Sequence, residues 1–60
     1  MNNIQFTFTD RFGDETIVYK NEDGTLAVQQ NAFDRITVME YDKDNIEDLE
    51  RMIAILKELK

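Results

Sequence analysis

Residues 15–30 read ETIVYKNEDGTLAVQQ. Two runs with strand-forming character flank a polar stretch that ends in Gly24. β-Branched and aromatic side chains favour the pleated surface, and the polar stretch marks the turn between the runs. The segment reads as a β-hairpin, and its register decides which side chains share a face. A four-residue loop, Asn21 to Gly24, suits a type I turn closed by a left-handed glycine. It predicts Tyr19 opposite Leu26 and Ile17 opposite Val28, with the large apolar residues together. A three-residue loop would set Lys20 against Leu26 and mix the faces, so the four-residue loop is the expectation.

Working outward, Ile4-Gln5-Phe6-Thr7-Phe8-Thr9 alternates apolar and polar residues, as a strand with one wet face does. Asp10 to Asp14 breaks the pattern, and Gly13 supplies the turn residue. Phe12 has no alternation partner and either folds over the core edge or stands in solvent. Downstream, Arg35 to Tyr41 reads as a fourth strand. Ile36 and Val38 fall on one face, and Thr37, Met39 and Tyr41 on the other. The pattern does not fix the 29–34 connection.

The C-terminal segment changes period. Ile46, Leu49, Met52, Ile53, Leu56 and Leu59 form one helical stripe. Asp44 suits an N-cap, with Glu47 completing a capping box. Glu47 and Asp48 complement the positive end of the helix dipole, and Lys57 and Lys60 the negative end. Glu47 and Arg51 are spaced to pair on the wet side.

These readings predict strands at about 4–9, 15–20, 25–30 and 35–41 and a helix at about 45–59, in one domain of residues 1–60. The fold class is α+β: a small antiparallel meander with one amphipathic helix packed on one face. Ile4, Phe6, Phe8, Ile17, Tyr19, Leu26 and Val28 are expected to meet the helix stripe.

Composition narrows function. The chain has no serine, histidine, cysteine, tryptophan or proline. The commonest nucleophiles, the usual neutral-pH base and the soft metal ligands are therefore missing. Neither a disulfide nor a structural zinc site can form. Gly13 and Gly24 are the only glycines, so there is no glycine-rich phosphate loop. An EF-hand counted from Asp42 fails, because its sixth and twelfth positions hold Glu47 and Ile53. No cofactor or metal is expected, and catalysis by carboxylates would need a cleft that one helix on a small sheet hardly provides.

Net charge is −6, which disfavours direct binding of nucleic acid or of anionic membrane. The start Met1-Asn2-Asn3-Ile4 lacks the pattern of a signal peptide, and a soluble cytoplasmic protein is expected. Between Glu40 and Glu50, six acids stand against one base, Lys43, and carry most of the net charge. Glu40, Asp42, Asp44, Glu47, Asp48 and Glu50 are the candidate surface for a basic protein partner. Carboxylates on a rigid strand-to-helix corner could imitate nucleic-acid phosphates, which points to inhibition or regulation of a nucleic-acid-handling protein. In size, charge and element order the chain resembles small accessory proteins of phages and mobile elements, and that resemblance implies binding and blocking a host protein, such as a defence nuclease.

Size supports an alternative. A chain of this length buries only about 60% of its unfolded surface, and small folds usually add a staple or a partner. A homo-oligomer would use the outer sheet face or a strand edge. Val18, Ala27, Met39, Tyr41 and Ile55 are the candidate residues for that interface.

Overall fold

The computed structural model describes residues 3–60. Met1 and Asn2, half of the start read above for a leader, lie outside the described residues. Strands β1 (Asn3–Thr9), β2 (Glu15–Lys20), β3 (Leu26–Asn31) and β4 (Ile36–Tyr41) form an antiparallel sheet in chain order. A single 3-10 turn, Lys43–Asn45, leads into helix α1 (Ile46–Glu58). Every expected element forms, and no end is displaced by more than one residue.

The register of the central hairpin corrects the expectation. Asn21 N–H donates to Thr25 O at 2.9 Å and Gly24 N–H to Asn21 O at 3.2 Å, so the loop is the three residues Glu22-Asp23-Gly24. Lys20 then lies opposite Leu26, Val18 opposite Val28 and Tyr19 opposite Ala27. The first hairpin repeats the device, with Asp10 N–H donating to Asp14 O at 3.0 Å and Gly13 N–H to Asp10 O at 3.1 Å. Gly24 closes its loop at φ 90° and Gly13 at φ 85°. This left-handed backbone is costly for any residue with a Cβ. Asp10 reinforces the first loop, its Oδ1 accepting from Phe12 N–H at 2.8 Å and Asp14 N–H at 3.0 Å.

One step of register moves a strand's side chains to the other face. The inner middle row is Phe6–Val18–Val28–Met39, flanked by Phe8–Thr16–Gln30–Thr37 and by Lys20–Leu26–Tyr41. Ile17 and Tyr19, expected inside, belong to the outer face. A bulge between Ile4 and Phe6 turns Ile4 outward as well, opposite Tyr19. The third connection is a two-residue turn, Phe33-Asp34, bracketed by Ala32 N–H donating to Arg35 O at 2.9 Å. Phe12 and Phe33 both stand in solvent, at the same end of the meander.

The helix start also differs from the expectation. The capping residue is Asp42, not Asp44: its Oδ1 accepts from Asp44 N–H at 2.9 Å. Asn45, not Glu47, returns the bond, its Oδ1 accepting from Asp42 N–H at 3.1 Å. The box sits on the 3-10 turn, and α1 continues from Asn45 without a further side-chain cap.

Helix α1 faces the inner side of the sheet without closing on it. Among the described residues the buried apolar side chains are Val18 at 6% exposure and Ala27 at 0%, with Thr16 the buried polar one. Met52 stays 54% exposed and Leu56 65%. The molecule is a slab of 39 × 31 × 17 Å with a radius of gyration of 12.7 Å. A chain of this length packed at ordinary density has a radius of about 10 Å. Among the described residues, no helix is long and apolar enough to cross a membrane.

Candidate functional site: an apolar cleft and an acidic corner

Two surfaces stand out. The first is a cleft of about 750 Å³ between α1 and the inner sheet face. Phe6 and Phe8 line one side, Val18, Leu26 and Val28 the floor, and Leu49, Met52, Ile53 and Leu56 the helix side. The rings of Phe6 and Phe8 stack with centroids 6.0 Å apart. Among the described residues, Gln5, turned inward at the bulge, and Lys20 are its only polar lining side chains. The cleft exists because inner positions of β1, β2 and β3 face a helix whose stripe is only half covered. Among the described residues that line it, only Lys20, which is exposed, could act as an acid, a base or a nucleophile. Its chemistry is the burial of apolar surface.

The second surface is the strand-to-helix corner. Asp23, Asp42 and Asp44 surround a shallow hollow of about 480 Å³ together with Lys43, Gly24 and Thr25. The sequence pattern missed Asp23 here, because the hairpin delivers it from twenty residues upstream. Glu40 is tied to the same hairpin: Asn21 Nδ2 donates to Glu40 Oε2 at 2.7 Å and to Thr25 Oγ1 at 2.8 Å. The single Thr25 hydroxyl proton goes to Asp23 Oδ1 at 2.7 Å, the nearer of its two carboxylates. The Thr25 hydroxyl and then the Thr25 N–H, at 3.0 Å, hold the Asp23 carboxyl below its ordinary value. At Asp10, desolvation opposes the charge. Bonds from Asp14 N–H, the Gln30 amide and Phe12 N–H outweigh it and lower the pKa.

The six expected acids do not form one patch. Asp42 and Asp44 meet Asp23 at the hollow, while Glu40 belongs to the outer sheet face opposite Ala27. Glu47 pairs with Arg51 at 3.9 Å on the wet side of the helix, as its spacing predicts. Asp48 and Glu50 flank the stripe on opposite sides, about 160° apart around the helix axis. No cluster of metal-ligating side chains occurs among the described residues.

The expected oligomer patch is also redistributed. Val18 and Ala27 are buried within the chain, so they offer no outward patch. Met39 and Tyr41 lie on the inner face, where the Tyr41 hydroxyl reaches Met39 Sδ at 3.4 Å. Ile55, 60% exposed, sits on the helix flank.

Fold and surfaces together define a four-stranded meander with one loosely seated helix, displaying an apolar cleft and an acidic corner. No protein-family model, curated protein or solved structure matches this chain.

Proposed function

We propose that this chain is a non-catalytic protein-interaction module, whose helix stripe and inner sheet face are covered by another polypeptide. The carrying observation is that these two apolar surfaces face each other yet stay half exposed. A thirteen-residue helix is marginal in water without tertiary support, so α1 needs that cover to hold its place. Hydrogen exchange and urea unfolding of the isolated chain at low micromolar concentration test the reading. The expected result is an unprotected helix and a shallow or concentration-dependent transition. A steep, concentration-independent transition with a fully protected α1 would refute it, since the chain would then be complete alone.

A second reading concerns the acidic corner. Asp23 joins Asp42 and Asp44 around one hollow, which supports a basic partner there, in the manner of an inhibitor of a nucleic-acid-handling protein. The assay is the chain's ability to displace duplex DNA from a panel of basic DNA-binding domains. Charge reversal at Asp42 and Asp44 to Lys abolishes inhibition under this reading, and full inhibition by the reversed variant would eliminate it.

A further inference from the structure

We propose that the cover is a second copy of this chain, packed by two-fold symmetry so that the helix stripes and inner sheet faces of both copies close one core. The proposal rests on the interaction-module reading above and names its partner.

Area is the first argument. A folded protein of 7.1 kDa exposes about 4,100 Å² by the usual scaling with mass. This chain exposes 5420 Å². The excess, on the order of 1,000 Å² per chain, matches the share each protomer of an obligate homodimer buries. The flat shape agrees: the slab measures 39 × 31 × 17 Å, and its radius of gyration of 12.7 Å exceeds the roughly 10 Å of a chain packed at ordinary density. Stacked sheets pack about 10 Å apart face to face, and a second copy's inner side is a surface that can take up that spacing.

Chemistry is the second argument. Apart from Gln5 and Lys20, the described lining of the cleft is aliphatic and aromatic, and it holds no carboxylate. It therefore offers a basic partner no carboxylate to pair with, and its occupant must be apolar over the same extent. The stripe of Leu49, Met52, Ile53 and Leu56 is such a surface. Self-contact through it leaves Glu47 and its partner Arg51 on the far side of the helix, with Asp48 and Glu50 at the rim of the stripe rather than within it. A small apolar molecule would fill the cleft but leave Ile46 and Leu59, beyond its lining and both more than half exposed, uncovered.

The experiment uses the whole chain. Sedimentation from about 1 to about 200 µM spans the range in which a moderate dimer dissociates. The expected species has twice the 7.1 kDa chain mass. Leu56→Glu weakens it by about 100-fold or more, because a carboxylate would be buried unpaired. Phe33→Ala, at a fully exposed turn, leaves it intact. Since Leu56→Glu risks unfolding the chain, cysteine alkylation gives a second readout, made clean by the absence of native cysteine. Met52→Cys, inside the shared core, resists alkylation at high protein concentration, and Glu47→Cys on the far face does not.

Each other result overturns the proposal in its own way. A monomer with a loose, dye-binding helix would remove the second copy but leave the interaction module, with an unlike partner. A monomer that unfolds sharply would remove both readings. A monomer carrying extra mass in native mass spectrometry would make the occupant a small ligand. Growth beyond the dimer would exclude closed two-fold packing.

Discussion

Leu56→Ala separates two accounts of the helix stripe by the size of its effect. In the single chain Leu56 is 65% exposed, so only about a third of its side chain leaves water. Full burial of a leucine is worth about 1.5–3 kcal/mol, which makes the loss on truncation only about 0.5–1 kcal/mol. If a partner surface covers the stripe, Leu56 becomes a core residue and truncation costs about 2–5 kcal/mol per chain, cavity included. The assay is urea unfolding followed by circular dichroism, at a concentration where the wild-type transition is cooperative. Phe33→Ala is the internal control, since a fully exposed turn residue should change stability by less than about 0.5 kcal/mol. A Leu56→Ala cost below about 1 kcal/mol in the cooperatively folded protein would refute the reasoning. The stripe would then stay in water even in the working state, and nothing would cover it.

The other predictions concern the devices that set the register and the corner. Gly24→Ala should destabilise by about 1–2 kcal/mol through backbone strain alone, because a Cβ there meets no atom within 4 Å. A neutral alanine, measured by thermal unfolding, would show that the loop is not held left-handed. Asp42→Ala should cost about 0.5–2 kcal/mol as the lost cap, and Asp44→Ala less; the reverse ranking would return the cap to Asp44. Asp10 and Asp23 have carboxyl pKa values lowered in the fold. A depressed folded pKa adds stability above the unfolded value of about 3.9, and that stability is lost as pH falls through the folded pKa. Stability should therefore drop below about pH 4. Asp10→Asn and Asp23→Asn should each flatten that limb, and variants that keep the wild-type acid slope would show that these bonds contribute nothing.

How far the residues announce this architecture differs from element to element. The alternation of Phe6 and Phe8 with threonines and the stripe from Ile46 to Leu59 are repeated signals, and both elements form where the pattern puts them. Hairpin register rests on a single loop, and there the pattern pointed the wrong way. It counted Lys20 opposite Leu26 as a mixing of faces. Lys20 lies at the end of its strand, lining the cleft while still exposed, and a lysine stem can lie along apolar surface with its charge in water, so the mixing costs little. A usable signal was present: Asp10 and Asn21 each precede a glycine by three residues, and the same three-residue loop follows both. The cap was missed because Asp42 and Asp44 are equally good acceptors, and the 3-10 turn that chooses between them carries no pattern of its own in the sequence. Asp23 joins the acidic hollow only through hairpin geometry, which no local spacing encodes. The inner and outer faces of β2 were exchanged together with the hairpin register, and Val18 of the candidate interface moved inward with them.

Salt separates the two surfaces, because their electrostatics carry opposite signs. A second copy brings −6 to −6, and Asp48 and Glu50 flank the apolar stripe that the two copies would share. Dimerisation is then driven by apolar burial and opposed by net repulsion. Raising ionic strength to about 0.15 M shortens the Debye length to about 8 Å and relieves that repulsion. The dimer should tighten with added salt, and the apolar contact loses nothing in exchange. A basic partner at Asp23, Asp42 and Asp44 behaves in the opposite way, since screening removes the attraction that speeds its encounter. Sedimentation across a salt series therefore reads which surface is at work. Self-association that weakens with salt would mean that ion pairs, not the helix stripe, hold the copies together, and the apolar core shared between them would have to be abandoned.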